Sequence, residues 1–194
     1  MDDIANEKPN WLERTIDSLL SSKEEVEASG TPEEMIDETA GKAFKISTAL
    51  GLIPGPIGMA AILPEIAALT RLQVTLIHRI ARHHHTHEKV SREIILLILG
   101  NAMGVAAGEA LVRNVGSHLV VRSVNTQFIR GITRKIGTRM IDSVAERAVG
   151  RWIPMLTAPL FGYFSRSLTI RIGREAERLF SKGIGVEPVE GGAS

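Results

Sequence analysis

The apolar positions of the chain repeat at helical rather than strand period. Between residues 10 and 29, Trp11, Leu12, Ile16, Leu19, Leu20 and Val26 recur every three or four residues among acids, which predicts an amphipathic helix. Gly30 ends it, and Thr31-Pro32-Glu33-Glu34 opens the next, with Thr31 as N-cap, Pro32 at the first helical position and Glu34 closing a capping box. That helix should reach about Leu50, where Gly51-Leu-Ile-Pro54-Gly55-Pro56-Ile-Gly58 breaks it. A long apolar helix is expected from about Ile57 to Arg82, with Pro64 near its first turns and the run His83-His84-His85-Thr86-His87 at its end. Ser91 or Glu88 starts another, whose stretch Ile94 to Val112 is apolar apart from Asn101 and Glu109.

A basic helix should follow from Val115 to about Gly137, then a helix from Thr138 to Gly150, a break at Trp152-Ile153-Pro154 and a last helix from about Pro159 to Lys182. No stretch alternates long enough to make a convincing strand, and Leu119 to Val124 comes nearest. The expectation is an all-α protein, a compact bundle of about six or seven helices with Pro/Gly-broken helical hairpins. Residues 1–30 form an acidic N-terminal arm, 31–183 the helical body, and 184–194 a Gly- and Glu-rich tail expected to be disordered. The helix, Ile-Pro break and long helix around Ile53-Pro54 are echoed around Ile153-Pro154, by duplication or by chance.

Aromatic residues make up only 4% of the chain, so Leu, Ile, Val and Ala must fill the interior. The absence of cysteine removes disulfides, thiolate metal sites and thiol nucleophiles, and agrees with a reducing compartment. With no basic region and apolar run at Met1, the chain is expected in the cytoplasm. Its formal net charge of +1 conceals a separation: residues 1–40 carry a balance of −9, and the rest +10. Such asymmetry suits either an anionic partner for the body or an arm folded back onto it.

Four features could carry chemistry. Gly100, Gly104 and Gly108 fall four apart within the apolar stretch and would let a second helix approach closely, whether in lipid or in a buried core. Between Arg113 and Arg139 there are six basic residues and no acid, and Arg122, Arg130, Arg134, Lys135 and Arg139 would line the polar side of a helix suited to anionic lipid. Pairing of these cations with the acidic arm is the alternative. Nucleic acid is not expected, since Phe128 is the single aromatic among the arginines and no reading motif is present. His83 and His87 share a face if the helix continues, as metal ligands would, but Ser91 stands where a zinc-protease motif needs a third histidine. The isolated acids Glu65 and Glu109 make no evident catalytic pair, and no phosphate loop or serine elbow occurs, so neither an enzyme nor a cofactor is expected.

The run Gly51 to Gly58, then Leu63-Pro-Glu-Ile-Ala67, Leu72-Gln73 and Leu76-Ile77-His78-Arg79-Ile80-Ala81, resembles the EcsC family of bacterial proteins. Arg151-Trp-Ile-Pro154, Gly162, Thr169, Ile172-Gly173-Arg174, Ala176 and Phe180 resemble that family's closing pattern, so the likeness covers about residues 33 to 182. It implies a helical, membrane-associated protein with no established activity. The histidine run departs from the family's aromatic-glycine pair at that place. Together these readings lead to the expectation of a non-enzymatic helical module at the inner membrane face, meeting anionic lipid or a membrane protein through its basic helix. A protein-interaction domain, dimeric or not, whose acidic arm covers the basic surface is the rival expectation.

Overall fold

The computed structural model describes residues 27–105, 112–115, 118–121, 131–136, 154–182 and 184–186, together with Ser18 and Arg139. This part is predominantly helical. Five helices are α1 (Pro32–Gly51), α2 (Gly55–Ala60), α3 (Ile62–His83), α4 (Arg92–Ala102) and α5 (Pro154–Ser181), with a further helical stretch at 131–136. The N-terminal arm and the helix expected over 138–150 lie almost wholly outside the described residues, so the full helix number is not set by them.

Local chemistry explains the boundaries. Thr31 Oγ1 accepts from the Glu34 amide while Glu34 Oε2 accepts from the Thr31 amide at 2.9 Å, the capping box expected at the start of α1. Ser91 caps α4 through the Ile94 amide. The single helix expected from 57 to 82 is two, α2 and α3, with Ala61 between them; Pro64, third in α3, needs no intrahelical donor there.

Two helix ends share one device. At α4, the Val105 amide donates to Gly100 O at 2.8 Å and the Gly104 amide to Asn101 O at 3.0 Å, with Gly104 at φ +70°. This Schellman motif stops the helix at Ala102, which corrects the expectation of one apolar helix to Val112. At α3, the Thr86 amide donates to Ala81 O at 2.9 Å and the His85 amide to Arg82 O at 3.0 Å, and His85, at φ 55°, occupies the left-handed position that glycine usually takes.

The core lies where α1, α3 and α5 pack together with α4. Ile94 to Gly100 are buried without interruption, as expected of a helix apolar all round. Against them sit Met35, Leu76, Ile77, Ile80, Ile172, Leu179 and Phe180. α1 and α5 run antiparallel at close range: a Cβ at Gly51 would stand 3.1 Å from Ala158, and one at Gly173 would collide with Ile36 Cγ1. α4 is 11 residues, about 16 Å, well short of the roughly 30 Å hydrocarbon core of a bilayer. Among the described residues no helix is long and apolar enough to cross a membrane.

Two further expectations are corrected. Residues 112–115 and 118–121 are not helical: β1 (Val112–Val115) pairs antiparallel with β2 (His118–Val121), Val112 opposite Val121. The tail begins as β3 (Ile184–Val186), parallel to β2 with Leu119 opposite Ile184, so 184–194 is not wholly an unstructured tail. β-Branched and apolar residues at these positions suit strands.

Candidate functional site

Two polar constellations stand out, one inside and one outside. Inside, Ser47 of α1 donates to Glu65 Oε1 of α3 at 2.7 Å, and its oxygen lies 2.6 Å from Ser165 Oγ of α5. Thr169 donates to Ser165 O at 2.8 Å and receives Gln73 Nε2 at 3.3 Å. All five side chains are buried, with Glu65 only 1% exposed. One direction of donation fits every contact, Ser165 to Ser47 to Glu65 and Gln73 to Thr169, so each hydroxyl proton has a use. The line fastens three helices in register and presents no group to solvent, so it has no reach to an incoming substrate.

The outside constellation belongs to α5. At 3.6 residues per turn, Ala158, Gly162, Ser165, Thr169, Ile172, Gly173, Ala176 and Phe180 face inward, and all are buried. The opposite stripe carries Leu160, Tyr163 and Phe164, then Ser167, Arg171 and Arg174. Leu160 is 65% exposed, Tyr163 67% and Phe164 48%. Two more exposed apolar side chains follow the end of α1, Leu52 in the turn and Ile57 in α2, and Gly51 at that end faces Ala158 and Phe161 of α5. Exposed apolar groups of this size make this end of α5 a candidate contact surface. From Pro154 to Arg174, α5 contains no acidic residue and three arginines, Arg166, Arg171 and Arg174. Arg166 reaches Asp37 at 3.7 Å, while among the described residues no carboxylate pairs with Arg171 or Arg174.

The far end of α5 is tied down by charge. His84 Nε2 lies 2.8 Å from Glu177 Oε2, and Asn101 Nδ2 donates to Glu175 Oε1 at 2.8 Å. Burial pulls the Glu175 carboxyl up, but the Arg178 fork at 2.7 and 3.0 Å and the Asn101 amide outweigh it and hold the group below the usual carboxylate range. On α1, Glu38 is likewise lowered, first by the Lys42 hydrogen bond and then by Arg79.

The positions singled out by sequence are dispersed. Arg134, Lys135 and Arg139 are exposed, with Ile132 and Ile136 buried beneath the 131–136 stretch. Arg122, Arg130, Gly108 and Glu109 lie outside the described residues. Gly100 is buried within α4, but Gly104 is exposed beyond its end and a Cβ there would meet nothing within 4 Å, so it stops the helix and does not extend a packing face. His83 is the last residue of α3 and His87 starts a separate 3-10 turn, so the shared helical face assumed for a metal pair does not exist. Among the described residues no three His, Asp or Glu side chains gather as metal ligands would. The α5 surface was missed because its signal is doubled: small residues mark the inward stripe, and large apolar residues occupy the outward one. No family model, curated protein or solved structure matches the chain.

Proposed function

We propose that this chain is a non-enzymatic helical module that seats on an anionic membrane surface by the outward face of α5. The observation that carries the reading is the exposure of Leu160, Tyr163 and Phe164 on the same stripe as Arg171 and Arg174. Apolar and aromatic side chains enter the interfacial zone while arginines reach phosphate-bearing headgroups. A contact at the inner membrane face is part of the proposal, as the sequence resemblance to the EcsC family would imply.

Magnitudes decide what kind of membrane is required. Moving Leu52, Ile57, Leu160, Tyr163 and Phe164 out of water would contribute on the order of 5 kcal/mol, given their partial exposure. That is comparable to one myristoyl chain, which holds a protein only marginally. Each arginine near an anionic surface adds about 1 kcal/mol. Binding should therefore need both terms, with the exposed Lys135 and Arg139 able to add to the second. The test is flotation with phosphatidylcholine vesicles, with and without phosphatidylserine. Co-flotation only with the anionic vesicles, lost on Leu160→Ser/Phe164→Ser, is expected; equal behaviour with both vesicle types removes the reading.

A further inference from the structure

Alongside the apolar end of α5 lies a recess of about 240 Å³, lined by Tyr163, Arg166, Ser167, Ile170, Arg171 and Arg174. We propose that it is a binding site for a single dianionic phosphate group, held by Arg171 and Arg174 with Tyr163 and Ser167 as neutral donors. The lining contains three guanidinium groups, two hydroxyls and no carboxylate. Arg171 and Arg174 stand three apart on one helix, an arrangement of like charges that costs helix stability unless an anion lies between them. Guanidinium is the side chain whose planar fork matches phosphate oxygens two at a time. Arg166 is shared with Asp37, so the claim falls mainly on the other two. The volume is below the roughly 300–1,000 Å³ of sites for drug-sized ligands, which favours a headgroup-sized anion over a nucleotide cofactor. The apolar flank of Ile170 and the Tyr163 ring suits a phosphomonoester carrying a short apolar substituent.

The proposal does not depend on vesicle binding, and soluble probes keep the two apart. The full chain is titrated calorimetrically with inorganic phosphate and with dihexanoylphosphatidic acid, which is water-soluble. Saturable binding of both supports the site with free phosphate as a sufficient ligand; binding of the phosphatidic acid alone supports it with a lipid headgroup as the source. In either case Arg171→Gln/Arg174→Gln should weaken binding by about tenfold or more, while Lys89→Gln, at an exposed cation outside the recess, leaves it unchanged. Arg171→Lys/Arg174→Lys keeps the charge but loses the fork, and should weaken binding by severalfold with the fold intact, so it carries the test should the glutamine variant not fold. No saturable binding of either probe, or equal loss in both glutamine variants, overturns the proposal. Flotation without phosphate binding would leave the membrane reading standing and this one refuted, and the reverse result would do the opposite.

Discussion

Replacing Gly173 by alanine tests the close meeting of α1, α3 and α5 on which the rest of the body is built. An added Cβ would collide with Ile36 Cγ1 and lie 3.0 Å from Ile36 Cδ1 and 3.2 Å from Leu76 Cδ2. Ile36 cannot turn aside, because a β-branched side chain in a helix has one strongly preferred rotamer. Overpacking of this kind costs about 1–3 kcal/mol, against a helix-propensity gain of about 1 kcal/mol. The net expectation is a loss of up to about 2 kcal/mol. Gly41 provides the control, since it lies inside α1 and an added Cβ there would meet nothing within 4 Å. Gly41→Ala should gain about 0.5–1 kcal/mol from propensity alone. In thermal unfolding followed by circular dichroism, the two variants should move Tm in opposite directions, by about 2–4 °C per kcal/mol for a chain of this size. Ile36→Ala in the Gly173→Ala background should cost less than in the parent, by about 1 kcal/mol of coupling. If Gly173→Ala stabilises the protein as much as Gly41→Ala does, the three helices do not meet at this glycine and the packing argument fails.

Three other outcomes follow from the same structure. His85→Gly relieves the left-handed conformation at the end of α3 and should raise stability by about 1 kcal/mol in urea unfolding; a loss would mean that the helix end is not built as described. Ser47→Ala removes a donor from the buried Glu65 carboxylate and should cost about 1–3 kcal/mol, more than the same change at exposed Ser181, with no change in the denaturant slope. Glu175 is held below its unfolded-state pKa, so its contribution is complete above the ordinary carboxylate range and is lost as pH falls through the lowered value. Arg178→Gln should accordingly narrow the stability difference between about pH 7 and pH 3, and an unchanged difference would show that the Arg178 fork does not set that carboxyl's titration.

Helix starts were legible from the sequence because they depend on neighbours three residues apart. Thr31 with Glu34 forms the capping box as read, and of the two starts left open for the next helix, Ser91 and Glu88, Ser91 is the one that caps it. Helix ends were harder, since Gly104 reads equally as a packing notch and as a left-handed stop, and the hydrogen bonds from Val105 and Gly104 decide between them. The strands were hidden by length. Val112–Val115 and His118–Val121 are four residues each, and Gly116-Ser117 between them is a hairpin signal that a search for Asn-Gly or Asp-Gly passes over. The parallel partner Ile184–Val186 is more than sixty residues away in sequence, beyond any local pattern. For the candidate surface, charge along the chain drew attention to Arg134 and its neighbours. Which face of α5 is covered depends on the small residues of its inward stripe, and only packing reveals that Leu160, Tyr163 and Phe164 are left outside.

Because the chain has no cysteine, single cysteines can report on chosen faces without background. A polarity-sensitive fluorophore on Phe164→Cys and, separately, on Arg134→Cys compares the α5 end with the basic stretch directly. With phosphatidylserine-containing vesicles, the label at 164 should shift to the blue and be quenched by brominated acyl chains, while the label at 134 stays in a watery environment. A label at 164 that is indifferent to the vesicles, or one at 134 that enters the bilayer in its place, would contradict the seating of this protein by α5.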